Sequence, residues 1–203
     1  MKTTNNKPFT VALTGTIGSG KTSALNWFRK RGYESISADE ISHKLLLSPE
    51  IKTRIVNAFG MDILQGEEID RKKLGSVVFS EEKKLKILND ILHPEIIKEI
   101  KQRIEVSNNK ILVFEIPLLF EAGIEKLFNL TINVIAEPEV RIKRVENRDS
   151  VTEESIRKRS RFQLTDEIKQ KKADINVDNN CSINCFYHQL RIVDSFIQRM
   201  ARK

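Results

Sequence analysis

The stretch Val11–Leu25, VALTGTIGSGKTSAL, decides how this chain is read. Residues 15–22 within it are Gly-Thr-Ile-Gly-Ser-Gly-Lys-Thr, which satisfy G-x-x-x-x-G-K-[ST] at every fixed position. Ahead of the motif, Phe9–Thr14 is short and apolar, the pattern of a buried strand. Behind it, Ser23–Arg31 places Leu25 and Phe28 at helical spacing, so a helix starts inside the motif. The loop's glycines permit positive φ and a close approach of the backbone to a ligand. Backbone N–H groups of such a loop, with the N-terminus of the helix that follows, point at an anion. In this pattern Lys21 reaches the β- and γ-phosphates and Thr22 offers its hydroxyl to Mg²⁺. Binding of a nucleoside triphosphate is the strongest signal in the chain.

The bulk properties narrow the class. A length of 203 residues suits one domain, or a core with small lobes. Apolar residues make up 39% and charged residues 31%, the balance of a soluble globular protein. No apolar run approaches the roughly 20 residues that span a bilayer. The N-terminal MKTTNNKPF lacks the apolar segment of a secretory signal and reads as a short disordered lead. Cys181 and Cys185 are the two cysteines, and they point to a reducing, cytoplasmic setting rather than a disulfide scaffold. With His188 they do not make a common zinc spacing, and no second ligand pair exists. The net charge of +7 invites a nucleic-acid reading. Most basic residues, however, are interleaved with acids along helices, and no nucleic-acid motif is present. A basic cleft for a small phosphate-rich ligand accounts for the charge. The expected partners are therefore small molecules, with neither nucleic acid nor membrane among them.

The rest of the chain reads as α/β. Short strands are expected at Tyr33–Ser37, Ile111–Phe114, Leu130–Glu137 and within Ala173–Asn180, the second and third of these with the apolar runs of buried parallel strands. From Glu40 to Asn109 the pattern is helical, with Ser48 as an N-cap before Pro49 and further helices over Arg71–Phe79, Glu81–Leu92 and Pro94–Val106. That block is far longer than a simple crossover needs, so it reads as an inserted substrate-side lobe. Glu139–Arg148 is helical, Val151–Lys172 is a charged and mostly helical excursion, and Ile183–Met200 is an amphipathic C-terminal helix. The expected architecture is a mostly parallel five-stranded sheet binding ligands at the C-terminal ends of its strands.

Other residues qualify for chemistry. Asp39 follows the second strand, where it serves either as a carboxylate near an attacking hydroxyl or Mg²⁺, or as an N-cap for the next helix. Glu115 closes the third strand, where it either holds Mg²⁺ through water or is structural. Arg141, Arg144 and Arg148 fall at i, i+3 and i+7 on one helical face. Over 141–161, including Arg157, Lys158, Arg159 and Arg161, there are eight basic and four acidic residues. The default for such a run is a solvated face; the single-face spacing favours a lid closing on a triphosphate. His43, one turn beyond Asp39, is a candidate for lining an acceptor pocket, His93 for a helix junction.

Together these stretches resemble the dephospho-coenzyme A kinase family from about Phe9 to Asn180. The resemblance rests on LTGTIGSGKT (Leu13–Thr22), SADEISHKL (Ser37–Leu45), EIDRKKLGSVVF (Glu68–Phe79) and ILHPEI (Ile91–Ile96). It continues through IPLLFEAG (Ile116–Gly123), RIKRVENRD (Arg141–Asp149) with Gln163 after it, and ADINVDNN (Ala173–Asn180). The resemblance implies a P-loop core over 9–39, 110–140 and 173–203, a helical CoA-side lobe over 40–109 and a helical lid over 141–172. It implies transfer of the γ-phosphate of ATP to the ribose 3′-hydroxyl of dephospho-CoA, the last step of coenzyme A synthesis, by a monomer or small homo-oligomer. Carried over by position, Gly18, Ser19, Gly20, Lys21, Thr22 and Ser23 bind ATP, and Asp39 is the catalytic carboxylate. Arg144 and Arg148 are lid arginines. His43, Arg71, His93, Pro117, Leu118 and Glu121 lie on the acceptor side. Three positions depart from the family pattern: Thr16 and Ser37 replace a glycine and an aspartate, and Glu115 stands where aspartate is frequent. A nucleoside or nucleotide kinase with the same core is the alternative enzyme, and an ATP-hydrolysing switch is an alternative of another class.

Overall fold

The computed structural model describes residues 7–149 and 152–202, and of Arg159 the backbone alone. The expected lead at 1–6 and the start of the expected 151–172 segment lie outside the described residues. The chain divides into two units, one of residues 1–37 with 102–203, the other of residues 38–101.

The first unit is built on five parallel strands: β1 (Phe9–Thr14), β2 (Glu34–Ser37), β5 (Ile111–Glu115), β6 (Leu130–Ile135) and β7 (Ile175–Asp178). Their order across the sheet is β2-β5-β1-β6-β7. β1 therefore sits at the centre, and the chain builds outward from it in both directions. The switch point of such a sheet, where connections leave on opposite sides, is where ligands bind. Val11, Ala12 and Leu13 of β1 have no exposure, as a strand covered on both faces requires. Around the sheet lie α1 (Lys21–Arg29), α6 (Pro138–Asp149), α7 (Glu153–Ser160), α8 (Asp166–Lys172) and α9 (Ile183–Met200). Phe28 of α1 and Phe186, Leu190 and Ile197 of α9 join the strand residues in one core. The five strands fall where the sequence pattern puts them, to within a residue or two at their ends.

The second unit holds α2 (Ala38–Leu46), α3 (Pro49–Phe59), α4 (Arg71–Val78) and most of α5 (Glu82–Val106). Its core gathers Leu46, Ile51, Ile55, Ile63, Leu74, Val78 and Leu92. Asp70 caps α4 by accepting the N–H groups of Lys72 and Lys73. These two donors hold the Asp70 carboxyl below its usual range.

Three sequence expectations are corrected here, and one of the two alternatives for Asp39 is removed. The two helices expected to meet at His93 are one helix, α5, with Pro94 inside it. Proline removes one donor there, and burial of Leu92 and Ile100 on either side keeps the helix going. The block expected to be wholly helical contains a hairpin of β3 (Leu64–Gln65) and β4 (Glu68–Ile69), turned at Gly66 with φ 63°. Asp39 is not an N-cap, because α2 begins at Ala38 and places Asp39 in its first turn. Cys181 and Cys185, expected as free thiols, form a disulfide across the start of α9; their Cα atoms are 6.0 Å apart, within bridging range.

Ile55 is fully buried in the core of the second unit. Ile55→Ala should destabilise that unit by about 2–5 kcal/mol in urea unfolding. A loss well under about 1 kcal/mol would contradict this packing.

Candidate active site

The phosphate loop leaves β1 at Thr14 and enters α1 at Lys21. Gly20 occupies the helix's N-cap position at φ 105°, and no side chain caps the first turn. The leading N–H groups of such a helix end are where an anion binds. Neighbouring chain presses on the outside of the loop. A Cβ added to Gly18 would lie 2.7 Å from the Arg141 carbonyl oxygen and 2.9 Å from Val145 on α6; one added to Gly20 would lie 2.1 Å from Asn179 Nδ2. Neither site admits a larger residue without displacement.

Hydrogen bonds fix the loop from the same outer side. Asn179, buried just after β7, donates from Nδ2 to the Ser19 carbonyl at 2.7 Å. The Ile17 N–H donates to Gln163 Oε1 at 2.9 Å, and Thr16 Oγ1 donates to Asp166 Oδ1 at 2.8 Å. Lys21 is buried, and its Nζ donates to the Thr16 carbonyl at 3.0 Å. The lysine is thus held back across its own loop. Ser19 Oγ is buried with no hydrogen-bond partner among the described residues.

Thr22 and Ser23 are exposed at the start of α1. Thr22 Oγ1 donates to Glu115 Oε1 at 2.8 Å. Glu115 is buried at the end of β5, the strand beside β1. Because the hydroxyl proton is committed to Glu115, the lone pairs of Thr22 remain for a cation. This is how an outer carboxylate orients a metal ligand. No cluster of three or more metal-ligating His, Cys, Asp or Glu occurs among the described residues. Mg²⁺ needs no such cage, since it draws most ligands from phosphates and water. The residues present fit that ion in this way.

The α6 arginines, expected to work as one face, have three different partners. Arg141 pairs with Asp166 at 2.9 Å. Arg144 donates from Nη2 to the Asn179 carbonyl at 2.8 Å, while its Nη1 is buried and unpartnered among the described residues. Arg148 is mostly exposed and pairs with Asp149. On α7, Arg157 and Lys158 pair with Glu153 and Glu154 one turn back, as a solvated face does. Arg141 and Arg144 are therefore each tied to a residue that holds the loop, Asp166 and Asn179.

Pro117, Leu118 and Glu121 lie on the turn after β5. Lys169 of α8, with no exposure, donates to the Pro117 carbonyl at 2.9 Å and pairs with Glu121 at 2.8 Å. Glu121 also accepts the Leu164 N–H at 2.7 Å, so its Oε1 is turned toward α8. In the second unit, Asp39 and His43 lie one turn apart on α2, and Arg71 opens α4. Burial, then the charge of Arg71, pushes the His43 pKa below its usual value; burial does the same to His93 on α5. Both imidazoles are therefore biased toward the neutral form.

Sequence reasoning gave no role to Asn179, Asp166 or Lys169. Asn179 lies 160 residues from its partner Ser19, and no local spacing reports such a contact. Gly18→Ala should weaken triphosphate binding at least about tenfold in titration calorimetry, because φ 80° and the Arg141 carbonyl both oppose a methyl group. Wild-type affinity would show that the loop is not the phosphate site.

Comparison with known proteins agrees with this geometry. The family model described as dephospho-CoA kinase matches residues 9–184. A dephospho-CoA kinase of Fusobacterium nucleatum is 34% identical over 181 residues, covering 89% of this chain and 94% of the relative. Among solved structures, the Thermus thermophilus protein TT1252 superposes with a TM-score of 0.80 at 29% identity, over 94% of this chain and 98% of that one. A dephospho-CoA kinase from Campylobacter jejuni superposes with a TM-score of 0.67 at 32% identity, over 95% and 97%. A match along nearly the whole chain, on a parallel sheet whose central strand ends in a complete phosphate loop, leaves one conclusion: the chain belongs to the dephospho-CoA kinase family.

Proposed function

We propose that this protein transfers the γ-phosphoryl group of ATP to the ribose 3′-hydroxyl of dephospho-CoA, using the loop at residues 15–22 for the donor and Asp39 for the acceptor. The observation that carries the reading is the phosphate loop itself, complete in sequence, tied by Asn179 and Gln163, and followed by a helix start that no side chain caps. Bound ATP with Mg²⁺ supplies the transferable phosphoryl group and a cation that shields its charge. Every other part falls to this chain's residues. Gly18 to Ser23 hold the phosphates through backbone N–H groups and the Ser19, Thr22 and Ser23 hydroxyls. Thr22, oriented by Glu115, is the metal ligand. Lys21 exchanges the Thr16 carbonyl for phosphate oxygen, and Arg144 offers its unpartnered Nη1 to developing charge. Arg148, on the same helix, acts as a lid arginine only after leaving Asp149, so its part is the smaller one.

Asp39 is exposed in the first turn of α2, two residues past Ser37, which pairs with Glu115 across the sheet. An unburied carboxylate at that point suits a base. It takes the proton as the 3′-oxygen bonds to the γ-phosphorus and the bond to the bridging oxygen breaks, releasing ADP. His43, Arg71 and His93 of the second unit, with Pro117, Leu118 and Glu121, are assigned to the acceptor side. Residues 40–109 serve the acceptor and 141–172 serve as lid in the same proposal. We also propose a cytoplasmic setting and a monomer or small homo-oligomer, on the family membership and not on the two cysteines, which pair. Among the described residues, no helix is long and apolar enough to cross a membrane.

Asp39→Asn keeps size and removes basicity. It should lower kcat by about 10²–10⁴ while ATP KM stays within about threefold. Full kcat in the folded variant would remove Asp39 from the chemistry.

A further inference from the structure

Thr16 is the loop residue with its side chain built into the surroundings, and it is 4% exposed. Its Oγ1 donates to Asp166 Oδ1 at 2.8 Å, while its carbonyl accepts Lys21 Nζ at 3.0 Å and the Ser19 N–H at 3.1 Å. One residue thus connects a carboxylate outside the loop to the ammonium that serves the phosphates. The other oxygen of Asp166 takes Arg141 Nη2 at 2.9 Å, and Arg141 is itself mostly buried, its side chain 11% exposed. That pair fixes Asp166 from the α6 side. Three residues earlier, Gln163 holds the next loop N–H, at Ile17. The contacts come from one short segment, residues 163–166, and grip the first half of the loop. Asn179 grips the second half, at Ser19.

We infer that Asp166 is a positioning residue for the phosphate donor, acting through Thr16. By accepting the Thr16 hydroxyl it sets where the Thr16 carbonyl lies, and so where Lys21 waits. A carboxylate suits the post because it accepts from Thr16 and Arg141 at once, and charge-assisted bonds of this kind are the stronger ones. A loop already placed pays less ordering entropy when the triphosphate arrives. The inference rests on the reading of residues 15–22 as the nucleotide site. It adds that part of ATP affinity is set from outside that motif, by a side chain that does not touch the nucleotide.

The test is calorimetric ATP affinity, with KM for dephospho-CoA alongside, for Thr16→Val, Thr16→Ser, Asp166→Ala and the double variant Thr16→Val with Asp166→Ala. Thr16→Val keeps the shape, removes the hydroxyl and leaves the Arg141 pair intact, so it carries the test by itself if Asp166→Ala does not fold. Thr16→Val should weaken ATP binding about fivefold or more, leaving KM for dephospho-CoA within about twofold. Thr16→Ser should bind ATP as the wild type does. Asp166→Ala should cost several-fold less in the Thr16→Val background than in the wild type. Unchanged ATP affinity in Thr16→Val, equal loss for both substrates, or independent multiplication in the double variant would overturn the inference. ATP affinity is read without an acceptor, so a wrong acceptor assignment shows separately, as wild-type enzyme that binds ATP and leaves dephospho-CoA unphosphorylated.

Discussion

A loop that holds an anion with its own N–H groups can spare few of those groups to hold itself. This constraint organises the first unit. No side chain caps the start of α1, and much of the loop's shape is imposed from outside, by Asn179 on the Ser19 carbonyl, Gln163 on the Ile17 N–H and Asp166 on the Thr16 hydroxyl. Two of these bonds fall on a carbonyl and a hydroxyl rather than on a loop N–H. α6 supplies the remaining wall, where Arg141 and Val145 close on Gly18 so tightly that only glycine fits.

The sheet makes such bracing possible. β1 is central, with β5 on one side and β6 on the other, so the loop leaving it emerges between elements from both halves of the chain. From β5 comes Glu115, which takes the proton of Thr22. After β7 comes Asn179, which ties the loop and also receives Arg144. Four of the eight basic residues in the 141–161 segment pair with acids: Arg141 with Asp166, Arg148 with Asp149, and Arg157 and Lys158 with glutamates.

Much of this was legible from residues alone. The phosphate loop declares itself because its chemistry requires fixed residue types at fixed spacing, and the buried parallel strands do so because both faces are covered. What escaped the sequence is of two kinds. Packing overrode local signals at Pro94, where a helix runs through a residue that ordinarily ends one, while the hairpin turn at Gly66 was masked by the helical patterns around it. The other kind is long-range pairing. Helical spacing put Arg141 and Arg144 on one face but said nothing of Asp166 and Asn179, which send them to different tasks. Lys169 reads as one more charge in a basic run, yet it is buried against Glu121 and Pro117. Partners more than about a dozen residues away leave no periodic trace in a sequence.

The central claim is that the phosphate held by this loop passes to one hydroxyl, the ribose 3′-hydroxyl of dephospho-CoA. Phosphorus NMR of the product formed from ATP and dephospho-CoA tests it most directly. The account predicts ADP together with a new phosphomonoester coupled to the ribose 3′ proton, formed by the wild-type protein and not by Lys21→Ala. A phosphate appearing at another position, or ADP formed at the same rate without dephospho-CoA, would contradict it.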